Sequence, residues 1–385
     1  MYSETYEILH SYAQTVRAIS THSHHNYHSE FENFSLGKLI NTSYPGWGVN
    51  GVDCTDEGWK RYFNLTMCRS DAYWLHKAVG DIYLYGEMLS YDNYKAADAR
   101  IRERYAVDPY YHEKIITDIC RLDTLILDEH RDPGDDHGVS FVRSAMRLDW
   151  LLAADSRADS LLNGLPDTLD EYLAKADSFI EERIKRFKVV AFKIASAYER
   201  SLDFAHLSLE EAETAYIDGN RRSLGDYMMS HVCALAMKYD LPIQIHTGTG
   251  LLDKTSAMNL IDLVRRYPMV KFVLLHCSFP WFEDALAMAR ILPNVYADLS
   301  WTYTLSTSMA KRFLSEALDF LSVDRIAWGC DTWTAEEGYG ALMAVRQGLA
   351  RELAERTDAG LMNIQSAKKA MDMVLRENAL ALYKL

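Results

Sequence analysis

This sequence has no excess of basic residues and no long run of apolar residues, and each absence argues against a class of protein. Lys and Arg number 41 against 55 Asp and Glu, which gives a formal net charge of −14. That balance argues against a nucleic-acid partner, because a phosphate backbone is bound by a basic face. No stretch approaches the roughly 18 consecutive apolar residues of a membrane-spanning helix, so we expect no membrane partner.

Cysteine is also scarce. Six cysteines are scattered through 385 residues and no two form a C-x-x-C pair, which argues against a disulfide scaffold. Residues 1–20 lack the basic start and apolar run of a secretory signal peptide. We therefore expect a globular protein of a reducing compartment and predict a cytoplasmic location.

Eight short runs of β-forming residues alternate with amphipathic stretches such as 170–186 and 223–239. This alternation is typical of βαβ units and a parallel sheet. A (β/α)₈ TIM barrel, which has about 200 to over 400 residues, fits the length, and an open doubly wound sheet is the alternative. The eight runs are Val16–Thr21, Thr124–Leu127, Val139–Val142, Val189–Ile194, Pro242–Ile245, Lys271–Leu275, Val295–Leu299 and Arg325–Trp328.

One long segment, residues 26–119, does not fit the alternation. It is rich in Tyr, Trp and Asn and later shows a helical pattern. We interpret it as a partly helical insertion between strands 1 and 2 that covers the barrel mouth, within a single domain of residues 1–385. The insertion could serve a subunit interface, so a homo-oligomer is possible.

Histidine and acidic residues are placed where the predicted strands end. In a strand, residues i and i+2 point to the same side, so His22 and His24 can face one point. The carboxyl ends of barrel strands converge on the mouth, and imidazoles with a carboxylate suit a zinc-type ion with one position open for water. The sequence therefore predicts a metal site. Its candidate residues are His22, His24, Lys193, His246, His276 and Asp331.

This arrangement resembles the amidohydrolase superfamily, whose pattern is H-x-H after strand 1, Lys on strand 4, His after strands 5 and 6, and Asp after strand 8. The runs VKFVLLHCSFP, VYADLSW and RIAWGCDTW look most like its amidohydrolase 2 branch. SDAYWLHKAVGDIYLYG and LPIQIH carry a weaker similarity to uronate isomerases. The resemblance covers residues 15–25 and 120–385.

The resemblance implies a metal-dependent barrel with one or two divalent ions, Zn²⁺ being the first choice. In two-metal members the lysine that matches Lys193 is carbamylated and bridges both ions, and the histidine that matches His276 binds the second. In one-metal members that histidine is an acid/base or polarising group. The ligands of the first ion would be His22, His24, His246 and Asp331.

The leading functional hypothesis is hydrolysis by a metal-activated water. Asp331 would take the proton of the water, and His276 or the metal would polarise the substrate carbonyl. We expect a small, carboxylate-bearing substrate with an amide, ester or lactone bond. The same site would also serve a non-oxidative decarboxylase or an aldose–ketose isomerase of sugar acids. A non-catalytic, metal-bearing binding protein is a further alternative.

Candidate substrate contacts are polar and aromatic residues near the ends of the predicted strands. Arginine can bind a substrate carboxylate through a bidentate pair, and tryptophan can form an apolar pocket wall. The candidates are Tyr198, Arg200, Arg143, Arg147, His25, His28, Trp301 and Trp333.

Overall fold

The computed structural model describes residues 2–385. Their eight strands form one sheet in chain order, and neighbouring strands from β3 to β8 pair in parallel. The fold is a (β/α)₈ barrel, which confirms the predicted TIM barrel over the open sheet. The strands are β1 Ala18–Ser23, β2 Leu122–Leu127, β3 Val142–Arg147, β4 Val189–Ile194, β5 Ile243–His246, β6 Phe272–Leu275, β7 Val295–Asp298 and β8 Ile326–Ala327.

The predicted third strand, Val139–Val142, was wrong. Residues 140–141 form a turn after Gly138, whose φ is +68°, and β3 begins only at Val142. Polar residues, among them Arg143 and Arg147, occupy half of β3, so a search for continuous apolar runs does not find it. The fourth strand has the predicted bounds.

The α-helices lie before, between and after the strands, and several begin at a side-chain cap. Ser208 and Glu211 form a capping box at the start of α11, an arrangement that satisfies two backbone N–H groups at a helix end. Among residues 2–385, no helix combines the length and the apolar character that crossing a bilayer requires. The helices are α1 Glu4–Thr15, α2 Leu36–Asn41, α3 Tyr44–Trp47, α4 Asp56–Thr66, α5 Ser70–Tyr83, α6 Tyr94–Val107, α7 Tyr111–Lys114, α8 Asp149–Ala153, α9 Ser156–Leu161, α10 Leu169–Arg186, α11 Leu209–Ile217, α12 Arg221–Tyr239, α13 Ile261–Arg266, α14 Phe282–Ile291, α15 Thr302–Leu305, α16 Thr307–Phe320, α17 Ala335–Asp358, α18 Ile364–Asp372 and α19 Asn378–Tyr383.

The chain divides into two compact units. The first unit contains the chain up to Leu125 together with Ser300–Glu316 and Trp328–Glu377. The second unit contains Ile126–Leu299, Ala317–Ala327 and Asn378–Leu385.

In the first unit, helices α2 to α7 lie between β1 and β2 and bury an apolar core of their own. Its aromatic members include Phe31, Trp59, Tyr62 and Tyr105. The aromatic residues that are frequent in this part of the sequence therefore fill a helical core, where each buries a large apolar area.

In the second unit, β5 and β6 are buried along their whole length. Strands buried on both faces read as continuous apolar runs in the sequence, which is why these strands were found. Their last residues, His246 and Leu275, lead directly into loops of the same unit.

Candidate metal centre and active site

In the first unit, two imidazoles face one carboxylate. His22 lies inside β1, one residue before its end, and is fully buried, and His24 follows the strand. His22 Nε2 lies 3.6 Å and His24 Nε2 3.3 Å from Asp331 Oδ1. The structure thus brings three of the six predicted metal-site residues together in this unit.

Backbone hydrogen bonds fix the position of Asp331 beside β1. Asp331 N donates to His22 O at 2.9 Å, and His24 N donates to Thr332 O at 3.0 Å. This close approach requires glycine at position 329, since a Cβ on Gly329 would lie 2.6 Å from His22 N. The loop after β8 and the end of β1 therefore hold the imidazoles and the carboxylate in one place.

The spacing of these donor atoms fits a divalent ion. Two ligands bound at 2.0–2.2 Å to a tetrahedral zinc ion lie about 3.4 Å apart. In the structure, Asp331 Oδ1 lies 3.6 Å from His22 Nε2 and 3.3 Å from His24 Nε2, and these two distances bracket that value. The chemistry of the donors agrees as well, because imidazole and carboxylate are typical zinc ligands.

Aromatic side chains surround this cluster. The Tyr44 hydroxyl lies 3.5 Å from Asp331 Oδ1, and the Tyr44 ring stacks on Trp301 at 4.7 Å. Trp333 stacks on His24, also with 4.7 Å between ring centroids. The structure thus places Trp301 and Trp333, both predicted substrate contacts, in an aromatic group beside the candidate ligands.

A buried carboxylate, Glu337, holds two of these aromatic residues by their backbone. Its Oε1 accepts from Tyr44 N at 3.0 Å and its Oε2 accepts from Trp333 N at 3.2 Å. Burial, opposed by these two bonds, raises the pKa of Glu337 to about 8, because desolvation disfavours the charged form. Sequence reasoning missed Glu337, since nothing in the pattern distinguishes it from an ordinary residue of a helix first turn.

His25 and His28, predicted as substrate or supporting contacts, both meet a third imidazole. His25 Nε2 lies 2.9 Å from His112 Nδ1, and His28 Nδ1 lies 3.2 Å from His112 Nε2. His112 belongs to α7 and is buried. No local pattern predicts this group, because residues so far apart in the chain meet only in the folded helices.

In the second unit, Asp128 pairs with two predicted site residues. Arg147 Nε and Nη2 donate to its two carboxylate oxygens at 2.9 and 2.5 Å, and Lys193 Nζ lies 3.8 Å from Oδ2. All three lie at or near carboxyl ends of strands, since Arg147 and Lys193 are opposite each other in the β3–β4 register. Sequence reasoning missed Asp128, although a carboxylate directly after a strand is the same signal that identified Asp331.

Asp149 is a second buried carboxylate of this unit. Both of its oxygens lie within 3.0 Å of Ala195 N, the backbone group directly after β4. Desolvation raises the pKa of Asp149 to about 6, and the nearby Arg147 charge opposes that rise. Asp149 thus fixes the start of the loop that carries Tyr198.

The two histidines after β5 and β6 contact each other. His276 Nε2 lies 3.0 Å from His246 Nδ1, and His246 Nε2 lies 2.7 Å from Thr249 O. A carbonyl only accepts, so His246 carries its hydrogen on Nε2 and His276 donates to His246 Nδ1. The Tyr198 ring lies 4.6 Å from the His246 ring. The structure therefore brings Tyr198 to this histidine pair.

Two arginines lie apart from the histidine pair. Arg200 is bound to Asp226 and donates to Ser201 O. Arg143 lies at the amino end of β3 and donates to Ser140 O and Val142 O. Arg143 therefore lies at the opposite end of β3 from Arg147, whereas Arg200 lies on the loop after β4.

Comparison with known proteins identifies related sequences. The sequence model of one protein family, described as amidohydrolase, matches residues 116–385. Protein fluG of Emericella nidulans is 32% identical over 150 residues, which make up 37% of this chain and 17% of that protein. The chain thus spans only a small part of the curated relative that it matches.

Solved structures share the fold at low sequence identity. Uronate isomerase of Thermotoga maritima has a TM-score of 0.83 at 14% identity, over 100% of this chain and 98% of that one. Glucuronate isomerase of Caulobacter crescentus has a TM-score of 0.77 at 17% identity, over 99% and 94%. A provisionally assigned metal-dependent hydrolase of Lactobacillus casei has a TM-score of 0.73 at 21% identity, over 98% and 97%.

Proposed function

Because this chain belongs to the amidohydrolase family, we propose that it is a metal-dependent hydrolase of a small, carboxylate-bearing molecule. The bond cleaved would be an amide, an ester or a lactone. The observation that carries the proposal is the spacing of His22 Nε2 and His24 Nε2 from Asp331 Oδ1, which suits two ligands of one tetrahedral ion.

The proposed ligands of the ion are His22, His24, His246 and Asp331. Asp128 would supply a further oxygen ligand together with His22 and His24. If His246 binds the ion, its ring must give up either the bond to Thr249 O or the one from His276. A second ion, with Lys193 and His276 as ligands, remains part of the proposal.

A bound divalent ion would supply Lewis acidity, lowering the pKa of a water to about 7 and polarising a carbonyl. Asp331 then accepts the proton of the attacking water on a carboxylate oxygen and returns it to the leaving group. The Tyr44 hydroxyl, 3.5 Å from Oδ1, helps to orient that carboxylate. His276 would polarise the substrate carbonyl through Nδ1 as the imidazolium, because the hydrogen of the neutral ring lies on Nε2, which donates to His246.

Replacement of Asp331 by asparagine tests the proposal. The variant keeps the side-chain volume but loses the proton acceptor, so we expect turnover to fall by about 10²–10⁴-fold. The measurement is hydrolysis of a panel of carboxylate-bearing amides, esters and lactones, with circular dichroism to check folding. Asp324→Asn is the matched control, since Asp324 is more than half exposed and pairs only loosely with Arg325.

Product analysis separates the hydrolase from the other two reactions. A hydrolysed bond in the wild type, lost in Asp331→Asn, supports the proposal. Release of carbon dioxide, or conversion of a sugar acid to its isomer without hydrolysis, would contradict it. Metal content, measured on both proteins by mass spectrometry, shows whether the variant has also lost the ion.

A further inference from the structure

The second unit contains a cavity of about 530 Å³ beside the loops that follow β3, β4 and β5. Asp149 and Ser196 line it after β3 and β4, and Lys254 lines it after β5. Arg221, the first residue of α12, also lines the cavity. The cavity therefore adjoins the loops that carry Tyr198 and His246.

Most of the charged groups around the cavity already have partners. Arg200 is bound to Asp226, and Arg222 lies 3.7 Å from the same carboxylate. The acids Asp155 and Glu199 both contact Arg157. The opposite charges within each pair compensate each other, so these groups neither attract nor repel a charged ligand strongly.

In the part of the chain that the structure describes, two cationic side chains that line the cavity, Arg221 and Lys254, have no close carboxylate partner that is buried. Within residues 2–385, no carboxylate oxygen lies within 4.0 Å of the Arg221 side chain. Lys254 has only Asp253, at 4.0 Å, and that carboxylate is highly exposed to solvent. Arg221 also begins a 19-residue helix, whose N-terminus favours negative charge.

Ser196 gives an independent indication of a ligand. The residue is 3% exposed, and its Oγ has no hydrogen-bond partner among the described residues. A buried hydroxyl without a partner costs free energy. Ser196 lines the cavity, and a ligand oxygen that its hydroxyl turned to meet would remove this cost.

We propose that this cavity binds the anionic oxygen group of a small molecule, a carboxylate or a phosphate, through Ser196, Arg221 and Lys254. The group is the distal end of the substrate, a point that rests on the proposed function. Tyr198 lies two residues beyond Ser196, and its ring is 4.6 Å from the His246 ring. One short segment therefore contacts both the cavity and His246, a proposed metal ligand.

This proposal changes the role of Arg200. The sequence suggested Arg200 as one of several candidate carboxylate contacts, and in the structure its guanidinium is bound to Asp226, a buried residue of α12. Arg200 thus ties the loop after β4 to α12, the helix that begins with Arg221.

Isothermal titration of the purified protein with glutarate and with inorganic phosphate tests the cavity without a turnover assay. We expect the wild type to bind at least one of the two anions. Arg221→Ala and Lys254→Ala should each weaken that binding roughly tenfold, since each removes a charged hydrogen-bond donor. Ser196→Ala should weaken it less. The probe that loses affinity identifies which anion the cavity takes.

Arg265→Ala is the matched control, because it removes the same charge from an exposed position outside the cavity. Binding of neither anion by the wild type, or equal binding by the cavity variants, would overturn the proposal. Asp331→Asn separates this failure from failure of the proposed function. If Asp331→Asn loses turnover but the cavity variants bind the anion as the wild type does, only the cavity proposal is refuted. If Asp331→Asn keeps turnover but the cavity variants bind more weakly, only the hydrolase proposal is refuted.

Discussion

At the residue scale, Glu337 makes folding depend on pH. Its pKa rises from an ordinary value of 4.5 to about 8 in the folded protein. Between these two values the unfolded chain releases the proton and the folded chain keeps it, so stability falls as pH rises and is constant above about 8. The free energy of unfolding should fall by a few kcal/mol across this pH window in the wild type, and Glu337→Gln should remove that fall.

Urea unfolding at pH 5, 7 and 9 measures this effect as a difference between wild type and variant. The amide also disturbs one of the bonds from Tyr44 N and Trp333 N, so the informative quantity is the pH dependence and not the stability at one pH. Glu103→Gln, at an exposed position within α6, is the control. Identical slopes for Glu337→Gln and the wild type would contradict the assigned pKa direction.

Strand periodicity predicts which side chains at the end of β1 can face one point. His22 and His24 lie two apart at that end, and the structure puts both beside Asp331. His112 and Glu337 could not be predicted, because their partners come from distant segments and no local pattern marks them. Asp128 could have been predicted by the reasoning that identified Asp331, since each carboxylate follows a strand.

At the scale of elements, one threonine joins the ends of β5 and β6. Thr247 Oγ1 donates to Leu275 O at 2.7 Å and accepts from Ser278 N at 2.9 Å, and all three residues are buried. Thr247→Val keeps the shape but leaves both backbone groups without this partner, so we expect a loss of about 1–3 kcal/mol in the free energy of unfolding.

Chemical denaturation measures this loss. The control is Thr214→Val, which removes a hydroxyl that bonds Glu210 O on the exposed side of α11, where we expect a change within about 0.5 kcal/mol. Equal effects at the two sites would show that the junction of β5 and β6 does not depend on Thr247.

The bounds of a strand could be predicted where a continuous apolar run marked it. β4 to β7 are apolar and buried, so their bounds were found to within about one residue. β3 was misplaced because Arg143, Ser144 and Arg147, half of its residues, carry the polar character of a loop. A strand that brings charged residues such as Arg147 to a candidate site loses the apolar pattern by which strands are recognised.

At the scale of the whole molecule, the barrel could be predicted because its repeat is long and regular. The eight strand signals and the helices between them agree on one architecture. The helices between β1 and β2 could be predicted only as an irregular, partly helical segment. Their packing depends on aromatic contacts such as Phe31 on His112, which join distant parts of the segment.

Metal binding should stabilise the whole chain. His22 lies on the first strand, His24 follows it and Asp331 follows the last strand, so an ion held by all three binds the folded chain and not the unfolded one. At a free metal concentration of 100 times Kd, linkage adds about 2.7 kcal/mol. We therefore expect Zn²⁺ to raise the midpoint of thermal unfolding of the chelator-treated protein by a few degrees. His24→Ala should lose most of that shift, whereas His231→Ala, which removes an imidazole paired with Asp177 on α10, should keep it. An equal shift in both variants, measured by calorimetry, would place the ion elsewhere.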